Sequence, residues 1–490
     1  MLSPSSRRTG SSNRPQPRRT VVATVLALIG VSAVAIALLL VWRRSNASDS
    51  PPLQPALPQD SAIQAYFNHA ESSRYSHPYR GQQRPGDNLE QVIIDAIAAA
   101  QGSVDMAIQE VNLPLIARAL ADRQQAGVRV RVILENQYHR PWSALSATQV
   151  AALSQRDRRK YGEFLLLADA NGDGDTSPQE MRQHDALTIL AAAGIPIIDD
   201  TADGSRGSGL MHHKFLVVDG QTVVTGSANF TLSGLHGDMD SETSLGNANH
   251  LLQLTSLDLA QRFTQEFNLM WGDGPGGKAD SRFGLQKPYR PAETLRIGST
   301  RIDIQFSPAS PTRPWPDSAN GLVGRWLLRA NRSIDLALFV FSDQQISAVL
   351  QTPHRAGVPI RALIEPSFAY RPYSEALDML GIALVNAQCR YDAGNSPWLP
   401  SLSTVGVPSL PEGDVLHHKF AVVDDQQVLT GSQNWSEAAN YTNDEVLLAI
   451  ANPTVTAHFQ REFDRLYDRA SIGVPTWLSE RIDQRRDQCF

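Results

Sequence analysis

Apolar positions along this chain alternate between two rhythms. Residues 89–100 carry them at helical spacing, and "VDMAI" at 104–108 follows as a short continuous run. A second helical stretch comes next, then an apolar run over 128–134. The same order returns later: a helix pattern over 321–330, a run over 334–340, a second helix and a run over 360–364. Apolar runs alternating with amphipathic helices predict βαβ units and a largely parallel sheet. "KFLVVDGQTVVTG" then reads as a hairpin, two β-rich runs turning at Asp219-Gly220.

The recurrence extends to the letters. "SVDMAIQEVNLPLIARAL" from Ser103 matches "SIDLALFVFSDQQISAVL" from Ser333, and "AGVRVRVILE" from Ala126 matches "AGVPIRALIE" from Ala356, both 230 residues apart. "AGIPII" around Gly194 and "LGIALV" around Gly381 are 187 apart, so the first repeat carries 43 extra residues between Glu135 and Gly194. "LMHHKFLVVDGQTVVTGSAN" from Leu210 and "VLHHKFAVVDDQQVLTGSQN" from Val415 are 205 apart, which gives the second repeat 18 extra residues before His417. That second insertion, "YDAGNSPWLPSLSTVGVPSLPEGD", has the composition of a surface loop. The chain reads as a duplicated α/β domain, 61–275 and 285–490, behind a Pro/Ser-rich linker at 43–60.

Residues 20–42 contain no charge over 23 positions, and at about 1.5 Å rise per residue they reach about 34 Å, enough to span a bilayer. Arg7, Arg8, Arg14, Arg18 and Arg19 precede the segment and Arg43 and Arg44 follow it. This asymmetry predicts a transmembrane signal-anchor helix, with 1–19 a basic cytoplasmic tail and the body on the periplasmic or extracellular side. A cleaved signal peptide, or twin-arginine export through Arg18-Arg19, is the alternative. Beyond residue 44 the chain holds 37 basic against 50 acidic residues, a net of −13. An acidic body is a poor host for bulk nucleic acid and leaves room only for a local basic cleft. Cys389 and Cys489 are too few for a disulfide framework or a four-cysteine zinc site. Two unrelated thiols is the simpler expectation; one bridge closing a loop of about 100 residues is the alternative in an exported body.

Both long matches obey H-x-K-x4-D-x6-G-S-x-N, as His212, Lys214, Asp219, Gly226, Ser227 and Asn229, and as His417, Lys419, Asp424, Gly431, Ser432 and Asn434. Residues i and i+2 of a strand share a face, so each histidine points with its lysine, while His213 and His418 face away as packing or polar partners. The chain has five lysines against 39 arginines, yet two of the five stand in these motifs. A compact three-donor cation suits a phosphoryl oxygen. One histidine cannot be attacking nucleophile and leaving-group acid at once. Two equivalent units supply one of each, with lysine and asparagine groups on the equatorial oxygens and no metal required.

These residues resemble the HKD motifs of the phospholipase D superfamily, and the duplicated layout covers nearly all of the chain after the linker. The resemblance implies two α/β units about a pseudo-twofold axis, the site between them, and a covalent phosphohistidine intermediate. It implies His212 as nucleophile and His417 as general acid, Lys214, Lys419, Asn229 and Asn434 on the phosphate with Ser227 and Ser432 adding donors, and downstream acids orienting the histidines. Glu242 in "DMDSE" and Glu445 in "TNDE" fit that last role. Asp219 and Asp424 belong to the motif and are usually structural in the family, as their place beside a turn suggests.

"DANGDGDTSPQE" within the first insertion (about 150–190) fits an EF-hand loop. Asp169, Asn171, Asp173 and Glu180 take positions 1, 3, 5 and 12, Gly174 the turn position, Asp175 a carbonyl position and Ser177 the ninth. Thr176 stands where an aliphatic residue is usual. Ser177-Pro178-Gln179-Glu180 also reads as a capping box with proline at N1. A calcium ion here would be structural. Together these readings predict a membrane-anchored phosphodiesterase that cleaves phospholipid to phosphatidic acid and headgroup, for which a monomer suffices. The alternatives are a nuclease on DNA or RNA, a transphosphatidylase or cardiolipin-synthase-like enzyme, and a non-catalytic calcium-dependent binding module.

Overall fold

The computed structural model describes residues 52–489 except 206, 240, 242 and 393. The expected tail and transmembrane segment lie outside the described residues. Two sheets carry the fold. The first runs Ile63–Phe67, His250–Thr255, Thr222–Gly226, Lys214–Val218, Ser103–Ile108, Arg129–Leu134, Ile197–Asp199. The second runs Glu293–Ile297, Thr300–Phe306, Val446–Ala451, Gln427–Gly431, Lys419–Val423, Ile334–Leu338, Ile360–Ile364, Val405–Val407, Ser471–Ile472.

The sheets are mixed and mostly antiparallel, which corrects the parallel expectation. Among the strands of the described residues the parallel pairs come from the βαβ crossovers: Ser103–Ile108 with Arg129–Leu134 and then Ile197–Asp199, and Ile334–Leu338 with Ile360–Ile364 and then Val405–Val407. The motif strands enter antiparallel beside Ser103–Ile108 and Ile334–Leu338, and their tight hairpins force the next pairings antiparallel too. Asp219 and Asp424 sit at those turns with φ of 52° and 56°. Each carboxylate accepts three backbone N–H groups, from Gln101, Gly102 and Ser103 or from Asn331, Arg332 and Ser333. They pin the hairpin to the start of the neighbouring strand and take no place in the cleft, so their role is structural.

Crossover helices Pro114–Gln125 and Gln344–Arg355 cover the outer faces, the first opened by proline at its start and the second capped by Asp343. Each repeat has its own outer core. A third, continuous core joins them, with Phe215, Phe263 and Phe267 from one side and Phe420, Phe459 and Phe463 from the other. The helices Leu257–Trp271 and Pro453–Tyr467 contribute one apolar face each to that layer, and strand residues of both sheets supply the rest. Fully burying one such phenylalanine stabilises the fold by about 1.5–3 kcal/mol, so the two repeats are one folding unit rather than beads on a string.

Three local expectations change. The second insertion is not wholly loop, because Val405–Val407 joins the sheet where 382–385 forms no strand. Residues 54–60 of the expected linker lie against the second repeat: Arg461 donates to the Pro55 carbonyl, His458 contacts the Pro58 carbonyl and Asn452 donates to Asp60. Cys389 and Cys489 form a disulfide with Cα atoms 5.3 Å apart, so the bridge replaces the two unrelated thiols. The first insertion folds as the helices Ala147–Ala151, Gln155–Ala168 and Pro178–His184.

Candidate active site

Where the repeats meet, two equivalent backbone exchanges place the motif strands. His212 N–H donates to the Asp444 carbonyl and Asp444 N–H to the Leu210 carbonyl; His417 N–H donates to the Ala248 carbonyl and Ala248 N–H to the Val415 carbonyl. Each motif strand therefore begins against the strand start of the other repeat. The register makes Gly226 face Leu251 and Gly431 face Leu447, so Asn249 and Glu445 occupy matching positions.

Those two residues hold the histidines, each across the repeat boundary. His212 Nδ1 lies 2.8 Å from Glu445 Oε2, and His417 Nδ1 lies 2.9 Å from Asn249 Oδ1. Glu445 takes a further bond from Asn443 Nδ2. Asn249 Nδ2 donates to the Gly234 carbonyl at 2.9 Å, and Ser227 Oγ donates to its Oδ1 at 2.7 Å. With Nδ1 committed inward, Nε2 is the atom each imidazole offers to the cleft.

The register corrects the assignment of Glu242. The residue matching Glu445 is Asn249, and Glu242 itself lies outside the described residues. Twenty residues separate Asn229 from Asn249 but only eleven separate Asn434 from Glu445, so counting from the motif misses it. The matching signal was "NHLLQLT" against "EVLLAIA".

Lys214 and Lys419 are buried, and each donates to the carbonyl of its own motif histidine. Their surroundings differ. Lys214 Nζ also reaches Gln109 Oε1 at 3.2 Å, whereas Lys419 Nζ stands 4.9 Å from the centre of the Phe339 ring, which packs on His417. Burial lowers Lys214 to about 7, with Glu445 and Glu110 opposing; burial and then Lys214 push Lys419 well below the ordinary lysine value. Burial drives both catalytic-motif imidazoles well below their usual value, and the two lysines push the same way. Burial raises Glu445 to about 7 against the pull of Lys214. A pocket of cations starved of counter-charge is built for an anion.

His212, His417, Asn229 and Asn434 all line one cleft of about 990 Å³, and Oδ1 of both asparagines lacks a partner. Ser227 and Ser432 do not line it. They are fully buried; Ser227 braces Asn249, and Ser432 Oγ accepts the Val446 N–H. His213 and His418 face away onto Glu266 and Glu462. Glu266 in turn meets Lys287, which pairs with Asp444 at 2.5 Å, a buried chain of charges behind His212 that the sequence did not announce.

The first insertion forms one wall of the cleft through Arg156, Arg159, Lys160, Glu163, Leu165, Leu166 and Asp169. Lys160 pairs with Glu110 at 2.5 Å. The expected calcium ligands Asp169, Asn171, Asp173, Asp175 and Glu180 do not converge. Asp169, Asn171 and Asp173 accept N–H groups of the loop itself, and Glu180 turns back to the Ser177 N–H in a capping box. Gly174 has the positive φ, 85°, of the turn position. Among the described residues no group of three or more His, Cys, Asp or Glu is placed to hold a metal ion. The donors fit calcium in kind and order, and do not fit it in this arrangement.

Comparison with known proteins meets this geometry from outside. The family described as "Cardiolipin synthase, PLD-like domain" matches residues 93–271 and 325–467, one segment in each repeat and more than half of the chain together. A mitochondrial cardiolipin hydrolase of Xenopus laevis is 30% identical over 201 residues, 40% of this chain and 85% of that protein. A phospholipase D of Rickettsia felis is 24% identical over 164 residues, 34% of this chain and 66% of that protein. These matches have the length of a single repeat. The crystal structure of phosphatidylserine synthase from Haemophilus influenzae covers 91% of this chain and 96% of its own, with a TM-score of 0.52 at 12% identity, a likeness of fold. Two repeats of the matched domain, each bringing one HKD motif to a shared cleft, make this chain a member of the phospholipase D superfamily.

Proposed function

We propose that the protein is a phosphodiesterase that cleaves phospholipid to phosphatidic acid and free headgroup through a phosphohistidine. The observation that carries this reading is the pair His212 and His417, one from each repeat, facing one cleft over two buried lysines. An incoming phosphodiester supplies the charge that Lys214 and Lys419 lack, while Asn229 and Asn434 donate to its oxygens. One imidazole attacks phosphorus as the other protonates the departing oxygen. Water then reverses the roles, and an alcohol in place of water would give phosphatidyl transfer. Both half-sites lie in one chain, so a monomer is a complete unit.

Lipid is favoured over nucleic acid by the wall of the cleft. Leu165, Leu166, Leu210, Phe339 and Val415 give it an apolar side, and its cations are interrupted by Glu110, Glu163, Asp169 and Asp238. Burial raises Glu163 to about 7, and the neighbouring Asp238 adds to it. The names of the relatives point the same way. An N-terminal anchor at 20–42, with the body outside the cytoplasm, would keep the site near its substrate. Calcium at 169–180 would brace the insertion, Glu180 leaving its cap to become a ligand, and would take no part in the chemistry.

The test is the full-length chain assayed on phosphatidylcholine vesicles, cardiolipin vesicles and single-stranded DNA side by side, with and without chelator. Release of phosphatidic acid or phosphatidylglycerol, unaffected by chelator and lost at least about 10³-fold in His212→Asn, is expected. Turnover of DNA alone would overturn the substrate.

A further inference from the structure

Four large apolar side chains of the second repeat stand out in solvent. Tyr373, Ile472, Val474 and Trp477 are 42%, 40%, 43% and 48% exposed. Singly such residues are ordinary; gathered at one place they mark a surface that something covers. We propose that this face docks the second repeat onto a phospholipid bilayer, at the outer end of an aromatic path that leads inward to His417. The proposal takes its purpose from the phospholipid reading above and adds the side from which lipid arrives.

The path is a run of ring contacts. Phe339, in the wall of the cleft, lies 4.8 Å from the His417 ring and 4.9 Å from the Phe368 ring. Phe368 belongs to the short helix Pro366–Ala369, which Tyr370 closes. The Tyr370 ring meets Trp477 edge-on at 5.2 Å, and Tyr373 follows in the next turn of the chain. Glu365 caps that helix and accepts the Leu416 N–H at 2.8 Å, which fixes it to the start of the motif strand. The aromatic run therefore has one end at a motif histidine and the other in solvent. Tryptophan and tyrosine, each an apolar body with one polar atom, settle at the boundary between headgroups and acyl chains.

The edge of the sheet disfavours a second copy of the chain as the cover. Ile472 lies in the outermost strand, Ser471–Ile472, which pairs with Val405–Val407. That strand is two residues long and Pro475 follows it, features that discourage another strand from adding there. Charge does not select the partner either. Along the helix Thr476–Cys489, Arg481, Arg485 and Arg486 are interleaved with Glu480, Asp483 and Asp487, so the attraction is apolar and a neutral bilayer suffices. The chain that leads to the N-terminus departs beside the same face. Gln54 donates to Glu71 through its N–H and its Nε2, Glu71 pairs with Arg469 at 2.7 Å, and Ser471 begins the edge strand. An anchor at 20–42 has about a dozen residues of chain to Gln54, at most about 40 Å.

The test places a nitroxide on Val474→Cys in the full-length chain in phosphatidylcholine vesicles. Leu257→Cys, at a position 68% exposed on the first repeat, is the control. The label at 474 is expected to gain collisions with oxygen and to be at least about fivefold less accessible to a nickel chelate than the label at 257. Val474→Glu combined with Trp477→Glu should lower the rate on the phosphatidylcholine of the vesicle about tenfold. Monomeric dibutyroyl phosphatidylcholine should be turned over within about twofold of the parent rate, with Tm within about 2 °C. Equal nickel access at 474 and 257, or equal loss on both lipids, overturns the proposal. So does shielding that vanishes when the chain is diluted about tenfold in lipid, which seats a second copy on the face. A shielded, oxygen-exposed label with neither lipid turned over removes the phospholipase reading and leaves the docking in place.

Discussion

At the scale of single residues, the site stores its binding capacity in Lys214 and Lys419. Both are buried beside each other and beside two imidazoles, with Glu445 opposing the loss of charge of both and Glu110 that of Lys214. An anion in the cleft favours their charged forms and raises their pKa. The sign follows: above about 7 the free protein holds Lys214 largely neutral, so binding takes up a proton and affinity falls as pH rises. Sulfate, which does not titrate in this range, should bind near pH 8 with uptake of about one proton, read by calorimetry in buffers of different ionisation enthalpy. Uptake of none would show that the lysines already carry full charge. Arginine could not show this linkage, because it stays charged when buried, and that is one physical reason for two of only five lysines to stand here.

At the scale of elements, the chain is legible wherever pattern and pairing coincide. The strand and helix starts of both repeats follow from apolar spacing, and Asp105 with Arg131 repeats as Asp335 with Arg361, each arginine clamping its strand and lying over an aromatic of the helix Leu257–Trp271 or Pro453–Tyr467. The direction of the motif strands is not in that pattern, since a continuous apolar run fits either orientation. Val405–Val407 hid inside a Pro/Ser-rich stretch because a strand of three residues is too short to show a periodicity. Asn249 hid behind a longer loop, and Ser227 behind a motif that says which residues recur but not which way they face. If loop 169–180 takes calcium, saturating ion at about 100 times Kd should stabilise the chain by about 2.7 kcal/mol. A melting curve with and without chelator reads this, with Asp169→Ala abolishing the shift and catalysis unchanged in chelator. An identical melt in calcium and chelator would leave Asp169, Asn171 and Asp173 as turn formers and Glu180 as a cap.

At the scale of the whole molecule, two long-range links bear on a site assembled from distant halves. Residues 54–60 cross from the first repeat onto the helix Pro453–Tyr467, and the Cys389–Cys489 bridge closes a loop of 100 residues. That loop contains His417, Lys419, Asn434 and Glu445, half of the chemistry and the partner of the other half. Closing a loop of that length lowers the entropy of the unfolded chain by an amount worth up to about 4.7 kcal/mol, with no need for the bridge to touch the cleft. The bridge and the site are therefore separable: Cys489→Ser should melt several degrees below the parent while kcat at room temperature stays within about twofold. Melting curves with and without reductant on the parent chain give the same comparison without a substitution. Equal melting temperatures would mean that the ends of the loop are already restrained without the bond. Loss of activity at unchanged stability would mean instead that the C-terminal helix Thr476–Cys489 shapes the cleft from a distance. The expected result, stability lost and turnover kept, would make the bridge a restraint on the unfolded chain and no part of the chemistry.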